Sequence, residues 1–116
     1  MAVEAETTLA HLRRRENARR AEGTARAERL RAQLPKAVSL LRARGAGRVW
    51  LFGSLAGSEP SPMADIDLAA EGLPRAHYFE ALAEVMEVFQ ADVDLVRIED
   101  AHDSLAARIE AEGILL

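Results

Sequence analysis

A chain of 116 residues, 49% of them hydrophobic, is long enough to bury one core and too short for two independent domains. It has no cysteine, which excludes disulfides, thiolate metal ligands and thiol catalysis; no apolar run approaches the ~20 residues that span a bilayer and no apolar signal region opens it, so a soluble, cytoplasmic protein is expected. The net charge of −4 hides an asymmetry, because residues 1–48 carry 12 Lys and Arg against 5 Asp and Glu, whereas residues 49–116 carry 3 against 14.

Residues 8–44, rich in Ala, Arg, Glu and Leu, predict helix, with Gly23-Thr24 a soft point. Leu30, Leu34, Val38 and Leu41 recur at helical spacing and predict packing on a sheet, with Pro35 kinking the helix or marking a first turn. Upstream, only Leu9, Leu12 and small alanines offer an apolar stripe. Residues 1–30 therefore read as a basic helical arm, frayed alone or docked on another chain in a homo- or hetero-oligomer, and residues 31–116 as the folded domain. The arm has no aromatic residue to stack on bases, so a solvated helix is the expectation and direct nucleic-acid binding is not.

Gly45-Ala46-Gly47 should end the helix and residues 48–52 form a first strand. A ten-residue spacer, 55–64, holds Gly57, Pro60 and Pro62 and predicts a short turn of helix and a loop; residues 65–69 follow as a second strand, with Gly72-Leu73-Pro74 as a turn. Tyr78, Leu82, Val85, Met86 and Phe89 are spaced as the core face of a helix over 75–89. A third strand over 92–98 and a helix over 101–112 complete the pattern, and Ile114-Leu115-Leu116 is expected to pack back on the core or to join an interface. This order predicts an α/β fold: a small mixed β-sheet flanked by helices, with a long N-terminal helical arm.

The chemistry gathers in Leu51-Phe52-Gly53-Ser54 and Asp65-Ile66-Asp67. Strand alternation puts Asp65 and Asp67 on one face, with Cα atoms about 7 Å apart. Two carboxylates aimed at one spot repel unless a cation lies between them, and Mg²⁺ accepts such a pair while keeping positions for water and phosphate oxygens. Gly53 lets backbone approach a phosphate, and N–H groups of a following helix favour anions. Taken singly, the acidic pair is equally a solvated strand edge and Gly-Ser an ordinary turn. A second acidic strand, with Asp92 and Asp94, strengthens the first reading. His11, His77 and His102 have no metal-ligand spacing, Ser58 and Ser61 read as loop residues, and no Ser-His-Asp arrangement is suggested.

Gly53-Ser54, ten residues, Asp65-Ile66-Asp67 and a later strand-borne Asp94 resemble the nucleotidyltransferase superfamily related to DNA polymerase beta, and in particular its minimal branch (MNT), antitoxins paired with HEPN-domain toxins. The resemblance covers about residues 34–116, including a closing segment from Arg108 to Leu116. It implies transfer of a nucleoside monophosphate from ATP to a hydroxyl, a tyrosine of a HEPN ribonuclease, with release of pyrophosphate and dependence on Mg²⁺. By the same resemblance Gly53 and Ser54 hold the triphosphate, Asp65 and Asp67 are metal ligands, and Asp94 holds one metal and helps deprotonate the attacking hydroxyl. Asp94 is preferred to Asp92 because it lies inside the apolar run. Two positions depart from the family pattern: Ala64 stands where Ser or Thr is common, and Leu55 where Arg is frequent, each removing one contact. A binding module that neutralises its partner by contact, with a vestigial site, is the alternative; a small-molecule nucleotidyltransferase needs an additional substrate domain for which the chain is too short.

Overall fold

The computed structural model describes residues 2–57 and 65–116, with side chains from residue 8 onward. The chain runs α1 (Ala2–Ala32), α2 (Leu34–Ala43), β1 (Val49–Phe52), β2 (Ile66–Ala70), α3 (Tyr78–Phe89), β3 (Val93–Arg97), α4 (Asp103–Glu112) and β4 (Ile114–Leu115). Short 3-10 turns lie at Ser54–Ala56, Arg75–His77 and Ile98–Asp100. Ala64, Ser58 and Ser61, singled out in the spacer, lie outside the described residues.

Gly23-Thr24 does not interrupt α1, which runs unbroken to Ala32. One glycine costs a helix only about 1 kcal/mol relative to alanine, too little to break a segment otherwise made of strong formers. The break falls at Gln33, and Pro35 stands in the first turn of α2, where its missing N–H leaves no bond unmade. Leu9 and Leu12 are 55% and 51% exposed, whereas Ala27 and Leu30 are buried, so α1 joins the core only through its last turns. The rest projects, and the molecule measures 65 × 29 × 19 Å.

The sheet order is β3-β2-β1-β4, with β1 antiparallel to both neighbours and β2 parallel to β3. A parallel pair needs a long crossover, which α3 supplies. The sheet holds one strand more than the three expected. β4 pairs with β1, Trp50 opposite Leu115, and the Leu116 N–H donates to Val49 O at 2.8 Å. The apolar terminus thus packs back on the sheet, and no alternation could announce a two-residue strand whose side chains are both exposed.

Alternation along the strands divides the interior into two layers. Val49 and Leu51 of β1, Ile66, Leu68 and Ala70 of β2 and Leu95 of β3 face α2, α3 and the end of α1, where Leu34, Leu41, Ala81, Val85 and Phe89 meet them. Burying a side chain such as Leu51 contributes about 2 kcal/mol. Trp50 and Ala69 face the other way, with Ile109 of α4 against them and Phe52, Val96 and Ile98 around them. Met86 is half-buried, less deep than expected, while Phe79 is 80% exposed. Arg44 ties α2 to α3 through Glu80 and Glu84. Among the described residues no helix is long and apolar enough to cross a membrane.

Candidate functional site

Phe52, Asp67 and Asp94 stand in register across β1, β2 and β3. Their neighbours Leu51, Ile66, Leu68 and Leu95 face the main core. Alternation therefore turns this row toward the side of the sheet that carries α4. The sequence thus brings two carboxylates side by side because each sits one residue from a core position on adjacent parallel strands. β2 begins at Ile66, so Asp65 immediately precedes the strand that was expected to start with it. Asp92 precedes β3 and is exposed; Asp94 is the acid beside Asp67.

Asp67 is half-buried, with Asp65 and Asp94 more exposed. Its carboxyl is held above the ordinary aspartate range, first by burial and then by the charges of Asp94 and Asp65. Like charges converging on one partly desolvated acid form a place where a hard cation is electrostatically favoured. Among the described residues no group of three or more His, Asp or Glu side chains is close enough to cage an ion alone. The donor set is therefore an open, all-oxygen face, which suits an ion that keeps water or phosphate oxygens among its ligands.

Gly53 closes against this acid. It adopts φ 72°, ψ −158°, a conformation essentially confined to glycine, and a Cβ built on it would lie 2.1 Å from Asp67 Oδ2. Glycine is thus required twice, for its backbone angles and for the carboxylate over its Cα. Ser54 follows, exposed, in a three-residue turn rather than the helix whose N-terminus was expected to draw an anion. Leu55, 1% exposed, points into the main core, so the position where relatives were expected to carry Arg does not face the carboxylates here.

Arg31, near the end of α1, donates from Nη2 to Leu55 O at 2.8 Å and to Gly57 O at 3.0 Å. It fastens the turn that follows Gly53, a role with no signal in the sequence, since the contact spans 24 residues and the Arg lies in a stretch of many. Replacing it with Ala is expected to destabilise the protein by about 1 kcal/mol, a lost charge-assisted bond discounted for exposure, read as a lower urea midpoint with an unchanged slope. Tyr78, expected only as core, also donates its hydroxyl to Leu95 O at 2.6 Å. Burial, with Asp94 and Asp100 nearby, raises the pKa of that hydroxyl.

Two cavities flank α4 and share Leu105 in their walls. One, about 460 Å³, lies against Phe52, Gly53 and Gly57, and the other, about 500 Å³, against Tyr78, Phe79 and Val96.

The polymerase beta nucleotidyltransferase family model matches residues 38–116. Among solved structures, one described as a minimal nucleotidyltransferase is 27% identical with a TM-score of 0.70, covering 78% of this chain and 95% of that one. A toxin–antitoxin structure with AMP-PNP is 26% identical, TM-score 0.61, covering 70% of this chain and 69% of that one. The complex of a tri-AMPylated Shewanella oneidensis HEPN toxin with an MNT antitoxin, 24% identical with a TM-score of 0.58 over 74% of this chain and 70% of that one, is similar in fold. No curated protein sequence matches.

Proposed function

The chain belongs to the polymerase beta nucleotidyltransferase family, and on that premise we propose that it is a cytoplasmic antitoxin that transfers AMP from ATP to a tyrosine hydroxyl of a cognate HEPN ribonuclease, silencing it. The observation that carries the reading is the row Phe52–Asp67–Asp94 with Gly53 pressed against Asp67, which puts paired carboxylates and an approachable backbone in one place. Likeness to a toxin–antitoxin structure with AMP-PNP supports nucleotide binding.

In this reading Gly53 and Ser54 receive the triphosphate. The acceptor oxygen attacks the α-phosphorus, the bond to the bridging oxygen of the β-phosphate breaks, and pyrophosphate leaves. Asp94 takes the proton of the attacking hydroxyl, and burial of Asp67 strengthens every charge interaction around it. Asp65, Asp67 and Asp94 would hold Mg²⁺, whose chemistry is neutralisation of phosphate charge during in-line displacement. Residues 31–116 carry the transfer, and residues 1–30 form a basic arm available to the partner or to a second copy.

Co-expression with the HEPN partner, followed by intact mass spectrometry, tests the reading. The partner is expected to gain one or more AMP units and to lose ribonuclease activity. Full silencing at unchanged mass would instead assign the protein to neutralisation by contact.

A further inference from the structure

The acidic half of the chain offers few cations of its own to a polyphosphate. Residues 49–116 contain only Arg75, Arg97 and Arg108 against 14 carboxylates, yet a polyphosphate has to enter there. Two of the three are committed elsewhere: Arg75 pairs with Asp100 at 2.7 Å and Arg97 with the same acid at 2.5 Å. From the basic half, Arg31 reaches the turn after Gly53 but gives Nη2 to carbonyl oxygens. Leu55 is buried and supplies no charge.

Arg108 remains. It projects from α4, is exposed, and among the described residues makes no ion pair. Among the described residues it is the cation in the lining of the cavity of about 460 Å³ formed with Phe52, Gly53, Gly57, Leu105 and Glu112. Glu112, the carboxylate of that lining, stands one helical turn away and does not neutralise it. Phe52 leads from this cavity into the register row with Asp67 and Asp94. We propose that Arg108 grips the pyrophosphate end of the nucleotide across the cavity from Gly53. A guanidinium suits the task, since its planar fork makes paired charge-assisted bonds to phosphate oxygens. The inference rests on the nucleotide-transfer reading above and adds to it the cation that holds the leaving group.

Titration with a non-hydrolysable ATP analogue and, separately, with AMP distinguishes the possibilities, in the presence of Mg²⁺. Arg108→Gln is expected to weaken the analogue about 10-fold, equivalent to about 1.4 kcal/mol, and to leave AMP affinity unchanged. Arg108→Glu should weaken it further. Because the side chain is exposed, both variants should melt with the wild type, which a thermal scan checks. Wild-type affinity of R108Q for the analogue, or an equal loss for AMP, overturns the assignment of Arg108 and leaves the transfer reading standing. A wild-type protein that binds no analogue overturns both.

Discussion

Asp67→Asn is expected to cut AMP transfer on the order of 10³-fold while making the nucleotide-free protein more stable. Its carboxylate is partly buried and faces Asp94 and Asp65, so its pKa is raised in the fold. An acid of that kind binds protons more readily folded than unfolded. Its stabilising contribution is complete below the ordinary aspartate pKa of about 4 and is lost as pH climbs through the raised folded value. At neutral pH the wild type therefore carries the whole penalty, and asparagine removes it. Because the group is only partly buried, solvent screening reduces the gain to about 0.5 kcal/mol, or roughly 2–4 °C in Tm. The advantage of D67N should shrink as pH falls through the carboxylate range. Transfer should drop on the order of 10³-fold, the scale seen when one preorganised charge-stabilising group is removed. Mg²⁺ with nucleotide should raise the Tm of the wild type more than that of the variant. Asp92→Asn, changing an exposed acid outside the register row, should leave the rate within about twofold. A D67N protein that is less stable at neutral pH, or that modifies its partner at the wild-type rate, contradicts the role given to Asp67.

The strands and their acids were legible because alternation is a local signal. Val49-Trp50-Leu51-Phe52 and Asp65 to Ala70 show which residues share a face without reference to anything distant. What could not be read is what covers each face. Phe52, Asp67 and Asp94 belong to the α4 side only because β1, β2 and β3 come together in one register, which depends on contacts far apart in the chain. β4 escaped notice because two exposed residues carry no period, and its place beside β1 follows from where α4 delivers the chain. Leu55 shows in the sequence only the absence of a phosphate contact, but in the fold it fills the core, as an apolar residue on the inner side of a tight turn will. Arg31 and Arg108 were two arginines among many until the fold placed one on the turn after Gly53 and the other across a cavity from it. The acids were thus legible, because their spacing is short-range. The cations were not, because their positions are set by tertiary packing.

Gly53→Ala should disable the site without replacing any charged residue. Alanine at φ 72°, ψ −158° is strained, because that region is essentially open only to glycine, and the cost is about 1–3 kcal/mol. A second penalty is steric: the added methyl would stand 2.1 Å from Asp67 Oδ2 and 2.9 Å from its Cγ. Either the carboxylate swings away from Asp94 or the backbone of the turn shifts, and Arg31 resists the second by holding the carbonyls of Leu55 and Gly57. Rotation of the acid is the cheaper response, so the paired carboxylates and the Gly53 backbone should lose their alignment together. A displacement of about 1 Å in a catalytic group costs about 10²-fold in rate. We expect that loss in transfer, with a fall in Tm of about 4 °C or more from backbone strain. Combining Gly53→Ala with Asp67→Asn separates the two causes. If the methyl acts through the carboxylate, the double variant should transfer no worse than D67N alone, whereas its Tm should still carry the strain; multiplied rate losses would show that Gly53 serves the nucleotide independently of Asp67.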